Sequence, residues 1–297
     1  MTQPAADAGL DGAGRFERQL GVPGLGTHQQ RLLGRARVVV AGVGGVGGAV
    51  ATYCAAAGVG RLDLVHPGDL ELPDLNRQTL MTPADLGRAR VHAAARTLAR
   101  HFPDVEVTAH DAGLDADVVP ELIAGADVVV DARHNFPERY LINRLCREAG
   151  VPSVVAAMSG VQLQLLTCVR DGACWRCVFP EADPAWEPLG FRVLGAVAGT
   201  AGCLAAAEAV KLITGAGSVL SGRLLFGDLW TMSFQTLPVR SSPDCPDCGS
   251  GPAASRLAAS GLLATSGLAT SGLATSGLAA SGLAASGAGR PEVAAPR

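Results

Sequence analysis

A glycine-rich turn directly after a short apolar run is the feature that most constrains how this chain can fold. The run, residues 38–41, is long enough for one buried parallel strand, and a small-residue helix is predicted from Gly48 to Ala57. Between them, Gly42, Gly44 and Gly47 match the Gly-x-Gly-x-x-Gly pattern, whose bare backbone lets amide groups approach a phosphate. The pattern predicts a nucleotide-binding turn, most simply a dinucleotide site. A glycine-rich turn without a ligand is the alternative.

Composition sets the class of protein. The chain has 297 residues, of which 48% are hydrophobic and 17% charged, enough for one large α/β domain or two smaller ones. The net charge of −3 and the lack of a basic block do not indicate binding to nucleic acid. The apolar runs are expected to fall short of a membrane span. The N-terminus lacks a signal-peptide pattern, so a cytoplasmic location is expected.

Apolar patterns predict alternating strands and helices after the glycine turn. Candidate binding side chains stand where two of the strands end, namely His66 after the second strand and Arg133, His134 and Asn135 after a later one. Ligands of open α/β sheets collect at such strand ends. Strands are predicted at 61–66, 105–109, 126–131, 153–157, 161–168, 223–226 and 232–237, and helices at 85–101, 140–149 and 195–214.

The cysteines fall into two groups. Cys174 with Cys177 and Cys245 with Cys248 form two Cys-x-x-Cys pairs, a spacing typical of zinc sites. One four-sulfur structural zinc site would tie a loop in the middle of the chain to its far end. Four unrelated thiols are the alternative. The remaining cysteines are predicted to be core residues: Cys54, Cys146, Cys168 and Cys203.

Three segments are expected along the chain. Residues 1–14 are small and polar and are predicted to be disordered, while residues 15–250 hold the folded domain. Residues 251–297 form a low-complexity tail that repeats serine, glycine, leucine and alanine about every five residues. Such a tail buries too little surface to offset its ordering entropy, so disorder is predicted, with a short solenoid as the alternative.

Several motifs in a fixed order resemble one family. After Arg15, Arg18 and Gln19 come the glycine turn, Ala57-Gly-Val-Gly60, Leu75-Asn76-Arg77-Gln78, Gly87 with Arg90, and the two cysteine pairs. In this order, over residues 15–250, they resemble the ThiF/MoeB/HesA proteins, bacterial relatives of ubiquitin-activating enzymes. The resemblance implies a Rossmann-like, doubly wound α/β sheet with a zinc knuckle.

The resemblance also implies an activity. Proteins of this family bind ATP with Mg²⁺ and adenylate the C-terminal carboxylate of a small β-grasp carrier protein or a peptide. They form homodimers, in which the residue matching Arg18 reaches the neighbouring site. The catalytic candidates are Arg18, Arg77 and Arg90, and the nucleotide-binding candidates are Gly42, Gly44, Gly45, Gly47, His66, Asn76, Gln78, Asp131, His134 and Asn135.

The chain departs from the family pattern around the nucleotide. His66 stands where the family has a ribose-binding aspartate, His134 replaces the magnesium-side aspartate, and Arg90 replaces a lysine. An imidazole is a poorer partner for a diol, and magnesium prefers oxygen ligands. Arginine also lacks the compact point charge of lysine. A carboxylate nearby, Asp69, Asp74 or Asp131, could hold the metal instead; otherwise Asp69 and Asp74 would be solvated loop acids, Asp131 a cap, and the histidines without chemical role.

Three functions remain open from the sequence. The first is an adenylyltransferase with a remodelled nucleotide site, and the second is an inactive dimeric relative that binds peptides or serves as a scaffold. A nicotinamide oxidoreductase would fit the glycine turn but would leave the arginine motifs and cysteine pairs unexplained. Residues 187–195 contain no cysteine, so no thioester or persulfide step is expected there.

Overall fold

The computed structural model describes residues 12–182 and 192–250, which belong to one compact unit, Met1–Ser260. Its helices are α1 (Gly12–Leu20), α2 (Thr27–Arg35), α3 (Gly45–Ala57), α4 (Arg90–His101), α5 (Val118–Ile123), α6 (Phe136–Ala149), α7 (Trp175–Val178) and α8 (Gly195–Thr214). Its strands are β1 (Arg37–Ala41), β2 (Arg61–Val65), β3 (Glu106–His110), β4 (Val128–Asp131), β5 (Ser153–Ser159), β6 (Gln162–Cys168), β7 (Arg223–Asp228) and β8 (Ser233–Pro238).

These strands form one eight-stranded sheet with the order β3-β2-β1-β4-β5-β6-β7-β8. The first five are parallel, and β6, β7 and β8 continue the sheet antiparallel. Strand order reverses between β1 and β4, which creates the switch point where doubly wound sheets bind ligands. The predicted Rossmann-like α/β fold is therefore confirmed.

The first strand is buried on both faces, as its continuous apolar run predicts. Val38 and Val40 join a core cluster that includes residues of α3, α4 and α8. Val39 and Ala41 point the other way, into a cluster with residues of α5 and α6. Helices on both faces hold β1 in place, so the turn that follows it starts from a rigid position.

Helix α8 packs closely against α3 because both are rich in small residues. A Cβ atom on Gly202 would lie 2.3 Å from the carbonyl oxygen of Val46, so only glycine fits at this contact. By length and composition α8 could cross a membrane, and in this respect the expectation from the apolar runs was wrong. It is nevertheless a core helix, since Ala201, Ala205 and Ala209 are fully buried.

Several boundaries differ from the predictions. Helix α4 begins at Arg90 rather than at residue 85, because Gly87 has a φ of +71° and residues 83–85 form a separate 3₁₀ turn. Helix α3 begins at Gly45, and the short α5 was not predicted. Cys203 is exposed rather than in the core, whereas the other three cysteines outside the two pairs are buried. Residues 1–11 and the repeat tail from residue 251 lie outside the described part of the chain.

Candidate functional site

A cavity of about 980 Å³ opens at the carboxyl ends of the parallel strands, beside the switch point. Its lining combines residues that follow β1, β2 and β4 with residues of β5, β6, α6, α7 and α8. Among the lining residues are Gly44, Gly45, His66, Glu71, Asp74, Asn76, Arg77, Gln78, Arg90, Arg133, His134, Asn135, Arg139, Ala156, Ala157, Trp175, Glu181 and Val193.

The glycine turn forms the wall next to β1. Gly42 has a φ of +98°, and a Cβ atom on Gly47 would lie only 1.7 Å from the Gly42 carbonyl oxygen. Both positions therefore need glycine. The turn leads into α3, whose first amide groups have no partner within the helix and carry its positive dipole end. Gly44 and Gly45 place these amides at the cavity, where they can bind an anion.

His66 is fixed by the same turn. The Val43 amide donates a hydrogen bond of 2.8 Å to His66 Nδ1, so the proton of the neutral ring is on Nε2. Burial holds the pKa of His66 well below its ordinary 6.5, and the positive charges of Arg133 and Arg90 lower it further. His66 therefore presents a neutral N–H donor to the site, where an aspartate would present two acceptors.

Asp74 positions two arginines at the cavity. Its Oδ1 lies 3.0 Å from Arg77 Nη2, and its Oδ2 lies 3.2 Å from Arg90 Nη1 and accepts the Glu71 amide at 3.0 Å. Asp74 is only 8% exposed, so the expectation of a solvated loop acid was wrong for this residue. Asp69 is exposed and lies outside the cavity lining, in agreement with a solvated loop acid.

A second ion pair follows β4. Arg133 Nε donates to Glu138 Oε2 at 2.7 Å, and Arg133 Nη2 donates to Oε1 at 3.2 Å. Asn135 caps α6 by accepting the Glu138 amide at 2.9 Å, and its side-chain amide also donates to the Glu138 carboxylate. Burial is the main cause that lowers the pKa of His134, which keeps this imidazole neutral as well.

Asp131 lies beneath the cavity, outside its lining. Its Oδ1 accepts the Arg133 amide at 2.9 Å, and its Oδ2 lies 3.6 Å from Arg139 Nη1. Burial raises the pKa of Asp131. Arg139 in turn donates to the carbonyls of Arg133 and Ala156, and its guanidinium lies 5.2 Å from the centre of the Trp175 ring. Asp131 thus acts as a turn cap and as the counter-charge of a buried arginine.

Four side chains of the lining carry a buried polar atom that has no hydrogen-bond partner in the described part of the chain. These atoms are Gln78 Oε1, Arg133 Nη1, Arg139 Nη1 and Trp175 Nε1. Buried polar groups are usually paired, so several unpaired ones around one cavity indicate the place of a polar ligand. Three of the four are donors, but Arg139 Nη1 already lies 3.6 Å from Asp131 Oδ2, so Arg133 Nη1 and Trp175 Nε1 are the two that favour an anionic ligand.

The structure brings most of the candidate nucleotide residues together. The lining includes Gly44, Gly45, His66, Asn76, Arg77, Gln78, Arg90, His134 and Asn135. Gly42 and Gly47 shape the turn behind it, and Arg18 is exposed on α1 away from the cavity. Sequence reasoning missed Arg139 and Trp175. Arg139 could have been found from the sequence, because it lies one helical turn after the cap Asn135, and Asn135 follows the end of β4.

The four paired cysteines meet at one point beside the cavity. Their sulfur atoms lie within 4.8 Å of one another, with separations of 3.9 Å (Cys174–Cys177), 3.6 Å (Cys174–Cys245) and 3.3 Å (Cys177–Cys248). Four sulfurs at the usual zinc distance in a tetrahedron stand about 3.8 Å apart. The thiols are not joined as disulfides. The residues present fit a tetrahedral metal ion.

The residues around the cavity do not fit a magnesium ion. Magnesium in proteins is usually held by one or two carboxylates with near-octahedral oxygen geometry. Here Asp74, Asp131 and Glu138 are all engaged by arginine side chains. Glu71 and Glu181 also line the cavity but are exposed. The two strand-end residues, His66 and His134, offer nitrogen.

The fold and this cavity define a Rossmann-like α/β protein with an anion-binding site at the switch point and a four-cysteine cluster beside it. Residues 16–247 match the ThiF family, and the chain belongs to that family. Its relatives include proteins named adenylyltransferases, so the chain belongs to a family of enzymes.

The relatives span most of the chain. It is 43% identical over 240 residues to the SAMP-activating enzyme E1 of Haloferax volcanii, covering 80% of this chain and 89% of that protein. It is 38% identical to the sulfur carrier protein adenylyltransferase of Thermus thermophilus, covering 82% and 93%. Among solved structures, E. coli MccB with the ligand MccA-N7isoASN has the same fold, with a TM-score of 0.70, 22% identity, and coverage of 79% and 75%.

Proposed function

We propose that this protein uses ATP to adenylate the C-terminal carboxylate of a small carrier protein or peptide. The observation that carries the proposal is the buried, unpaired Nη1 of Arg133, whose side chain runs along the glycine turn before α3, in a cavity large enough for a nucleotide. The names of the relatives support the same reaction, since one is a sulfur carrier protein adenylyltransferase and another a SAMP-activating enzyme.

In the proposed reaction, an oxygen of the carboxylate attacks the α-phosphorus of ATP. The bond between the α-phosphorus and the bridging oxygen breaks, and pyrophosphate leaves with the electron pair. The amides at the start of α3 would bind phosphate oxygens, and Arg77 and Arg90 would neutralise the charge that builds up on them. Asp74 holds both guanidiniums in place before the substrate arrives, so little reorganisation accompanies the reaction.

The acceptor would enter along the end of β5. Ala156 and Ala157 line that side of the cavity, and their small side chains would leave room for an extended segment with small side chains. Arg139 lines the same side, where the Ala156 carbonyl holds its guanidinium, and it would be the cation for the incoming carboxylate. We therefore expect a carrier that ends in small residues such as glycine.

The assembly is part of the proposal. Arg18 is exposed on α1 and is not part of this chain's own cavity, which fits a residue lent to the neighbouring subunit of a homodimer. The four-cysteine cluster would hold Zn²⁺ as a structural ion. Free thiols suit a reducing compartment, so we place the protein in the cytoplasm.

The proposal is tested by exchange of labelled pyrophosphate into ATP in the presence of candidate carriers. We expect exchange that depends on a free C-terminal carboxylate, and a carrier with an amidated C-terminus is the matched control. Absence of exchange with every carrier, together with absence of ATP binding, would eliminate the adenylation reaction.

The second candidate, an inactive peptide-binding scaffold, is favoured by one observation. His66 and His134 occupy strand ends where acidic residues would be expected to contact the ribose and the metal. In that case the cavity would bind the C-terminal peptide of the partner but not ATP. Calorimetric titration with ATP separates the two functions.

A further inference from the structure

We propose that Arg133 takes the place of a divalent cation at the phosphates, so that this protein binds ATP without magnesium. The inference rests on the proposed function, since it concerns the same ligand in the same cavity. The side chains around the cavity are not the oxygen donors that a magnesium ion prefers.

The inward-facing carboxylates around the cavity are already committed to arginine. Asp74 is shared by Arg77 and Arg90, and Glu138 is held by both nitrogens of one edge of Arg133. Capturing one of these carboxylates for a metal would break a buried ion pair and leave its arginine without a counter-charge. Removing one partner of such a pair is strongly destabilising, because the charge that remains is buried and uncompensated.

Arg133 offers what the ion would supply, namely a positive charge fixed beside the phosphate-binding turn. Its side chain is only 4% exposed, and its Nη1 is buried without a partner in the described structure. A Cβ atom on Gly42 would lie 3.0 Å from Arg133 Cδ, so the side chain runs directly along the glycine turn. Glu138 orients the guanidinium from one side and leaves Nη1 for a ligand.

The remaining donors near the cavity do not restore a magnesium site. His134 and His66 supply imidazole nitrogen at the strand ends, a donor that magnesium rarely accepts. Glu71 and Glu181 line the cavity but are exposed, so neither offers a carboxylate that the fold holds in place for an ion. Within residues 12–182 and 192–250, the guanidiniums that line the cavity are those of Arg77, Arg90, Arg133 and Arg139.

The test is calorimetric titration of the full chain with ATP, once with excess magnesium and once with a chelator. We expect the two dissociation constants to agree within about threefold. Arg133→Lys should weaken binding about 10- to 100-fold in both buffers, because a compact ammonium held by Glu138 lacks the second edge with which the planar guanidinium can reach the phosphate. Arg96→Lys is the control, since Arg96 is exposed on α4 and outside the cavity.

Two more variants keep the test decisive. The double change Arg133→Met with Glu138→Gln removes the whole pair without leaving a buried carboxylate unpaired, and thermal melting checks that it folds. His134→Asp adds an oxygen ligand, and we expect magnesium to strengthen its ATP binding by about tenfold or more.

Each contrary result has its own meaning. Wild-type binding that appears only with magnesium overturns the inference and leaves the proposed adenylation standing. Unchanged affinity in Arg133→Lys also overturns it, because the guanidinium would then have no part in binding. Failure to bind ATP in either buffer, combined with no pyrophosphate exchange, overturns the proposed function and this inference with it.

Discussion

His66 shows how one hydrogen bond can reverse the chemistry of a position. The Val43 amide occupies Nδ1, so the ring can only donate toward the cavity. In Rossmann-type sites the residue at the end of the second strand is commonly an acid that accepts the ribose 2′-hydroxyl. A neutral donor at the same place gives a ribose hydroxyl a weaker partner.

Replacing this histidine should therefore change nucleotide preference. We expect His66→Asp to raise the preference for ATP over 2′-deoxyATP by about tenfold relative to the wild type, since a charged acceptor is gained. Titration with both nucleotides measures the ratio. His92→Asp, on the exposed face of α4, should leave it unchanged. A wild-type protein that already rejects 2′-deoxyATP strongly would contradict this account of His66.

Single residues were also where sequence reasoning reached its limit. Asp74 resembled a solvated acid because its partner Arg90 is far along the chain. The two meet because a bridge between Asp69 and Ala89 folds the loop back onto itself. Arg133 was noted at its strand end, but its pairing with Glu138 depends on how α6 leaves β4. Such contacts are set by tertiary geometry and leave no periodic signal.

At the scale of elements, the contact between α3 and α8 determines how the glycine turn is supported. Gly202 and Gly199 lie one turn apart on α8 but face different surroundings. A Cβ atom at Gly202 would lie 2.3 Å from the Val46 carbonyl oxygen, whereas at Gly199 nothing lies within 4 Å. The two glycines thus provide one crowded and one open position on the same helix, and substitutions at them can be compared directly.

Alanine substitutions at the two positions should have opposite effects. Gly202→Ala should lower the free energy of unfolding by about 1–3 kcal/mol, because it forces α8 away from α3. Gly199→Ala should raise it by about 0.5–1 kcal/mol, because alanine favours helix where there is room. Urea denaturation gives both values. Equal effects of the two changes would mean that the close helix contact is absent.

The cysteine cluster joins α7 to the end of the folded domain. We expect Cys174→Ser or Cys245→Ser to release one equivalent of zinc and to lower the melting temperature, because metal binding supplies folding free energy. Metal analysis and thermal melting check this. Cys203→Ser is the control, since Cys203 is exposed and outside the cluster. Purified wild-type protein without zinc would refute the assignment of the ion.

At the scale of the molecule, the proposed homodimer predicts that two inactive variants can complement each other when their subunits are mixed. Arg18→Ala and Arg77→Ala should each abolish pyrophosphate exchange, one by removing the residue lent to the neighbour and one by damaging the site itself. Mixing the two inactive proteins under conditions that exchange subunits should restore part of the activity, because each mixed dimer keeps one intact site. No recovery, despite demonstrated subunit exchange, would mean that Arg18 does not act in the neighbouring subunit's site.

The whole fold was easier to predict than the site. Buried apolar strands such as β1 and the helix α8 follow from runs of apolar residues, and the order of motifs indicated the doubly wound sheet. The four-cysteine cluster was also predicted correctly from spacing, since two Cys-x-x-Cys pairs rarely have another purpose. What could not be predicted was the pairing of charges inside the cavity, because pairs such as Asp74 with Arg90 join segments that only the finished fold brings together.

Trp175 directly follows Cys174, and its ring lies against Arg139 at the cavity wall. One peptide bond therefore separates the sulfur cluster from the place where substrate is expected. If the proposed function and the zinc assignment hold, the Trp175 indole would report through one fluorescence signal both on a nucleotide in the cavity and on a metal ion at the four sulfurs.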